Sequence, residues 1–295
     1  MTTPTAVSDE QRLDIVVERL GDWLVLSGEL SDAARSRSSW DALRRTAASP
    51  GLAKLVIAPS ARTLVLRADV PTEDGIDVAA RAREAREGMK RLAEGCDDRA
   101  EALSHNGTDD GAAFDKAQAK EAPSSTRTVD DAIKIDDTVE ADRAPETGLG
   151  ALVAEAGWAF VQRAAGRLAI DLGVPGQFHQ AIVEPRNAGG CRVRVELARL
   201  GDVADETRAA VAVLLLTVAH VVRFVRAGAD PLDGATAVFV EANIESAATS
   251  PEIHHALSAL SVACRMAGRE VKALMDLDLA RSYLAARGWA VSCTR

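Results

Sequence analysis

The chain has 295 residues, only 3% aromatic side chains and a formal net charge of −9 at pH 7. Most of that charge lies in residues 97–147, which hold 14 acids and 6 bases, whereas the regions 1–96 and 148–295 are close to neutral. This balance excludes a general attraction of the flanking regions to nucleic acid or to an anionic membrane. We therefore expect neither a nucleic-acid partner nor a membrane partner.

The compartment follows from the start of the chain and from the cysteines. The opening MTTPTAVSDEQ has no basic stretch followed by an apolar one, so it does not resemble a secretory signal. The cysteines at positions 96, 191, 264 and 293 lie far apart, which favours reduced thiols over a disulfide framework. We expect a cytoplasmic protein.

The region before residue 97 predicts an α+β module. Alternating apolar residues in the second strand of a hairpin, Leu64, Leu66 and Ala68, indicate a sheet with one buried face. The predicted elements are a helix over 9–20, strands over 22–28, 53–59 and 62–70, a helix capped at Ser38, and a helix from 71 to about 95.

Residues 97–147 differ in composition from the regions on either side. Large apolar residues are sparse among many acidic, small and hydroxyl side chains, too few to offset the entropy of ordering the segment. The segment therefore predicts a disordered acidic linker. Within it, VDDAIKIDD at 129–137 is either a docking segment or plain linker.

The region 148–295 predicts a second module, built around one strand and one helix. From Cys191 to Leu197 every second residue is apolar, and an almost wholly apolar helix follows over 209–222. Arg223 and Arg226 are expected at its carboxyl end, where cations suit the helix dipole. The other predicted elements are helices over 149–165, 250–268 and 276–288, strands over 167–174, 178–185 and 236–244, and a chain break at 231–234.

The two modules share a local plan. Residues 55–82 and 181–210 each contain a short apolar strand ending in proline, a turn, an alternating strand, an acidic cap and a long helix. We interpret the chain as two related α+β modules, each an antiparallel sheet packed on a long helix, over 1–96 and 148–295.

A resemblance adds to this interpretation. The phrase RTLVLRADVP (62–71) with its following helix, and the tail 254–288, resemble segments of the type III secretion chaperone-like fold, a group that includes the bacterial YbjN-type proteins. The resemblance implies an antiparallel sheet packed on helices, no cofactor, and protein binding rather than catalysis. Secretion chaperones are commonly small homodimers, so the doubled plan suggests a covalent pseudo-dimer.

Catalytic motifs are not evident in the sequence. It contains no glycine-rich phosphate loop, no nucleophile elbow and no H-E-x-x-H zinc helix. A site formed only in three dimensions, around Glu252, His255 and Cys264, is the enzymatic alternative.

The main prediction is a non-enzymatic protein-binding module, chaperone-like or an adaptor, that binds a protein partner or forms a homo-oligomer. Trp40 and Trp289 are the candidate interface anchors, because tryptophan is enriched at binding hot spots. Arg192 and Arg194, on the polar side of the central strand, are candidate contacts, but few aromatics lie nearby to stack nucleic-acid bases. A structural assembly subunit is a further alternative.

Overall fold

The computed structural model describes residues 13–31, 38–49, 51–58, 62–105, 148–232 and 234–289. It shows an α+β chain with two antiparallel sheets, which confirms the predicted fold class. The described residues up to 105 are called the N-terminal module, and those from 148 the C-terminal module. Residues 106–147, which include most of the predicted linker and its segment 129–137, lie outside the described residues.

The N-terminal module is a four-stranded sheet with two helices. Its sheet has the order β1-β2-β4-β3, and the predicted hairpin is confirmed as β3 paired with β4. The last helix begins at Val78 rather than at residue 71, which is the end of a strand, and it continues past residue 96 to His105. The elements are β1 (Ile15–Arg19), β2 (Trp23–Gly28), α1 (Ser39–Ala48), β3 (Lys54–Ala58), β4 (Thr63–Pro71) and α2 (Val78–His105).

Strand β1 corrects the prediction of a helix over 9–20. Residues 15–19 pair antiparallel with β2, with Ile15 opposite Gly28 and Arg19 opposite Leu24. The run Ile15-Val16-Val17 is β-branched, which favours a strand, and Gly21 at φ +62° allows the tight turn into β2. The helical interpretation was wrong for these residues because two turns of apolar spacing cannot outweigh that run.

The described part of the C-terminal module contains a six-stranded sheet and four α-helices. Its order is β5-β6-β7-β8-β10-β9, and every neighbouring pair is antiparallel. The elements are α3 (Leu149–Glu155), β5 (Val161–Gln162), β6 (Leu168–Asp171), β7 (Gln180–Pro185), β8 (Gly189–Leu200), α4 (Asp205–Val221), β9 (Arg226–Leu232), β10 (Ala235–Ser246), α5 (Ser250–Ala273) and α6 (Leu277–Ala286).

Two helix boundaries in this module differ from the predictions. The helix predicted over 149–165 ends at Glu155, since Gly157 adopts φ +83° and the chain then enters β5. Helix α5 does not end at Gly268 but continues to Ala273. Gly268 faces Gln177 and His179 so closely that an added Cβ would lie 2.3 Å from the Gln177 Oε1 atom, so a larger residue would force these two side chains to move.

The predicted chain break at 231–234 was also wrong in part. Residues 226–232 form β9, which pairs antiparallel with β10, with Arg226 opposite Glu241. Arg226 therefore does not lie at the end of the preceding helix, which finishes at Val221, but begins a strand and is buried.

The topology defines the internal repeat. Strands β1-β2-β4-β3 and β7-β8-β10-β9 have the same order, α1 and α4 occupy the same place between the two hairpins, and α2 and α5 follow them. The equivalent helices begin at Val78 and Ser250, 172 positions apart. The repeat is thus real, but the sequence comparison of 55–82 with 181–210 matched the second half of one unit to the first half of the other.

The two modules pack on each other reciprocally. Helix α1 lies against β9 of the other module, helix α4 lies against β3, and α1 also contacts α4. Such an exchange of equivalent contacts is the pattern of a twofold interface. One hydrophobic core extends through both modules, from Leu43 and Leu55 in the first to Leu215 and Val225 in the second.

Candidate functional site

A buried lysine crosses from the N-terminal module to the end of helix α4. The Lys54 Nζ atom donates hydrogen bonds to the carbonyl oxygens of Ala219 at 2.7 Å and Val225 at 2.8 Å, and lies 2.6 Å from Asp69 Oδ2. Burial lowers the pKa of Lys54 to about 8. Burial alone would raise the pKa of Asp69, but Lys54 and Arg67 outweigh it and hold that pKa below its ordinary value.

A buried arginine of the C-terminal module makes the equivalent contact with a helix end of the N-terminal module. Arg226, in the C-terminal module, donates to the carbonyl oxygens of Thr46, Ser49 and Gly51 where α1 ends, at 2.6 Å for Ser49. Its guanidinium group lies 3.8 Å from Glu241. Carbonyl groups at a helix carboxyl end have no partner within the helix and carry partial negative charge, so each buried cation completes a helix of the other module.

A third polar contact joins α2 to the start of α5. Arg81 donates to the Glu252 carboxylate, at 2.9 Å for the Nη2–Oε2 pair, and to the carbonyl oxygens of Ser246 and Ala247. Glu252 also accepts the backbone N–H of Thr249, which makes a capping box at the start of α5. This carboxylate therefore orients α5 against the N-terminal module.

An apolar groove opens on the outer side of this module interface. It is a shallow, open depression of about 340 Å³, lined by β2, the end of α4 and one face of α5. Three of its apolar side chains face solvent: Val221 is 56% exposed, Val262 41% and Met266 38%. The remaining lining residues are Trp23, Val222, Arg223, His255, Ser258 and Ala259.

The equivalent face of α2 has a different chemistry. With α2 and α5 aligned at their first residues, several buried positions coincide, for example Ala85 with Leu257 and Leu92 with Cys264. At the positions of the α5 groove, α2 carries exposed charged residues instead. The pairs are His255 and Arg83, Ala259 and Glu87, Val262 and Lys90, and Met266 and Glu94.

The residues of the enzymatic alternative lie on one helix but serve different contacts. Glu252 is occupied by Arg81, and His255 Nε2 lies 2.9 Å from a Glu73 carboxylate oxygen with its ring edge towards Trp23. Cys264 is fully buried three turns further on, and burial raises the pKa of its thiol to about 12. The fold brings Glu252 and His255 to the module boundary and leaves Cys264 in the core.

The two tryptophan anchors are half-buried. Trp40, on α1, and Trp289, just after α6, both pack against the hydrophobic core. Trp289 also lines a small cavity with Ile57 and Thr217, between the β3–β4 hairpin and helices α4 and α6. Their role as interface anchors stays a prediction.

The basic face of strand β8 is ion-paired within its own sheet. Arg192 Nε donates to Glu184 at 3.0 Å. Arg194 donates to Glu241 at 2.8 Å and to Asp230 at 2.8 Å, and its guanidinium group stacks 3.5 Å above the Phe239 ring. Both arginines are therefore engaged by neighbouring strands, and their role as partner contacts stays a prediction.

The burial of Lys54 and Arg226 was not predicted, although the sequence carries a signal for it. Lys54 and Arg226 each have a proline five residues later and an acid, Asp69 or Glu241, fifteen residues later. Aligning the two halves in that frame identifies the repeat. Val262 and Met266 were not singled out, because the sequence alone does not show which apolar positions of a helix remain exposed.

Three comparisons with known proteins give no match: no family of proteins, no curated protein and no solved structure is similar to this chain. The resemblance to the type III secretion chaperone-like fold therefore stays a prediction. None of the helices in the described part of the chain has both the length and the hydropathy that a membrane crossing requires. The described residues also hold no cluster of three or more histidine, cysteine or acidic side chains placed to bind a metal ion.

Proposed function

We propose that this chain is a non-enzymatic, cytoplasmic protein-binding module of the chaperone-like or adaptor type, and that it needs no cofactor. It would present the groove on α5 as the binding surface. The observation that carries the proposal is the difference between α5 and α2. The face of α2 in the first module is charged and exposed, whereas the equivalent face of α5 in the second module is apolar and exposed. The fold itself therefore does not require an apolar surface at this position.

The reciprocal packing of the modules supports the chaperone-like character. The sequence resemblance is to a group whose secretion chaperones are commonly small homodimers, and here two related modules exchange equivalent contacts within one chain. A covalent pseudo-dimer can differentiate its two halves, which identical subunits cannot. In this proposal the C-terminal module carries the binding surface and the N-terminal module supports it.

The residues of the enzymatic alternative support the same proposal. The Glu252 carboxylate is already engaged by Arg81 and by the start of α5, so its oxygens are occupied by structural contacts. The raised pKa of the Cys264 thiol disfavours the thiolate that nucleophilic chemistry needs.

The test is suppression of aggregation of an unfolded client protein, followed by light scattering. The decisive variant is Val262→Lys/Met266→Glu, which gives α5 the residues that α2 carries at the equivalent positions. Because the fold accommodates those residues in α2, we expect this variant to fold. We expect the unaltered chain to slow aggregation and the variant to lose most of that effect.

The matched control is Leu279→Glu on α6, which also removes an exposed apolar residue, 52% exposed, from a helix that does not line the groove. It should suppress aggregation like the unaltered chain. Equal activity of the groove variant and the unaltered chain would overturn the proposal.

A further inference from the structure

We infer that the groove on α5 binds an amphipathic helix of a partner protein whose apolar seam is flanked by acidic side chains. This inference rests on the proposed function and specifies its ligand. The alternatives are an extended segment, a second copy of this chain, and an acidic segment of the chain itself.

The spacing of the groove residues favours a helix as the ligand. His255, Ala259, Val262 and Met266 recur at intervals of four, three and four residues along α5, which is the a/d spacing of a helix–helix seam. The seam runs for about 16 Å at 1.5 Å per residue, or three helical turns. Ser258 and Ala259 are small, so the backbone of a second helix can approach α5 closely there.

The basic side chains around the groove favour an acidic ligand, and the carboxylate of Glu73 lies at one end of the groove, 2.9 Å from His255 Nε2. Arg223 lines the groove beside Val221, and Arg265 and Arg269 are exposed on α5 next to the seam. From His255 to the end of the seam α5 carries no acidic residue, and Glu270 is the first to follow. Cations at the edge of an interface steer association and select partners of opposite charge.

The same charges disfavour self-association through this face. Two copies of α5 packed seam to seam would line the edges of the contact with Arg265 and Arg269 of each copy, and α5 carries no acidic side chain between His255 and Met266 to offset them. Like charges brought together across an interface oppose its formation. A partner helix with glutamates beside its apolar seam would instead be attracted by these arginines.

The experiment measures binding of two designed peptides to the full chain by fluorescence anisotropy. Both peptides have fourteen residues (about four turns of helix) with leucine at the seam positions, and they differ only in carrying glutamate or lysine beside the seam. We expect the glutamate peptide to bind at least tenfold more tightly. In the Arg265→Glu/Arg269→Glu variant the preference should reverse, whereas Arg83→Glu/Arg86→Glu, the same charge change on exposed positions of α2, should leave it unchanged.

Several outcomes would overturn the inference. Equal binding of the two peptides, or tighter binding of the lysine peptide, would show that the groove does not prefer an acidic ligand. If the unaltered chain sediments as a dimer and the Val262→Lys/Met266→Glu variant does not, the groove binds a second copy of this chain and not a partner helix. If deletion of 129–137 raises the affinity for the glutamate peptide tenfold, the acidic segment of the chain itself occupies the groove.

The inference and the proposed function fail separately. If Val262→Lys/Met266→Glu loses the suppression of aggregation but neither peptide is preferred, the binding function stands and the acidic helix is wrong. If that variant keeps full suppression, the proposed function is wrong whichever peptide binds.

Discussion

Lys54 and Arg226 occupy the same position in the two modules and make the same contact in opposite directions. Each is the first residue of an edge strand, is buried, and donates to carbonyl groups at the end of the other module's helix. Each also has a carboxylate fifteen residues further along its own module, Asp69 or Glu241. The modules therefore stabilise each other's helix ends, so neither is complete alone.

The first prediction concerns the stability that these cations provide. Lys54→Met and Arg226→Met should each lower the free energy of unfolding by about 3–5 kcal/mol, because each leaves helix-end carbonyls unpaired and removes a cation from beside a buried carboxylate. Urea unfolding measures the change. Lys272→Met, at an exposed position on α5, should change stability by less than about 0.5 kcal/mol. An equally small effect of Lys54→Met would show that the contacts of Lys54 with the other module do not stabilise the fold.

The second prediction is the pH dependence that Lys54 produces. Its pKa is about 8 in the folded chain and 10.5 ordinarily, so between these values the unfolded chain binds more protons and stability rises with pH. The stability difference between the unaltered chain and Lys54→Met should therefore grow by about 2 kcal/mol from pH 8 to pH 10. Unfolding curves at both pH values measure it, and Lys272→Met should show no such growth.

The third prediction concerns the ion pair between α2 and α5. Arg81→Met and Glu252→Gln should each destabilise the chain, and the double variant should cost less than the two single costs added together. We expect a coupling energy of about 1–3 kcal/mol in a double-mutant cycle, since the two groups are partly or fully buried and directly bonded. Additive costs would show that the two residues act independently.

The fourth prediction tests the close approach of α1 to β9. An added Cβ on Gly228 would lie 2.4 Å from the Phe239 ring and 3.0 Å from the Ala47 Cβ atom. Gly228→Ala should lower the free energy of unfolding by about 1–3 kcal/mol, because the ring and the helix must both move. Thermal unfolding measures this. Gly201→Ala, where an added Cβ meets nothing within 4 Å, is the matched control and should be close to neutral.

The groove shows how a repeat can single out a candidate binding surface. Val262 and Met266 are unremarkable apolar residues of a helix until they are set beside Lys90 and Glu94 at the equivalent positions. That comparison requires the correct alignment of the two modules, and the order of the strands in the two sheets supplies it. The local plan of a hairpin followed by a helix occurs twice in each module, so the sequence pattern alone permitted a match shifted by half a unit.

Local sequence determined the elements with strong periodicity. The alternation of Val193, Val195 and Leu197 predicted β8, and the apolar run after Glu206 predicted α4, because burial of one strand face or of a whole helix is recorded directly in the residue pattern. The α+β class and the presence of two modules followed from such elements. Short elements such as β1 and β5 were not determined, because their stability comes from pairing with a neighbouring strand.

Only the tertiary structure decided the meaning of the charged residues. In the sequence, Arg226 suits a helix end and Arg194 suits a solvated face, yet one is buried against α1 and the other is paired with Glu241 and Asp230. The charge of a side chain is local, but its partners lie on strands and helices distant in sequence. Which cations stabilise the fold and which remain at the surface is therefore set by the packing of the two modules.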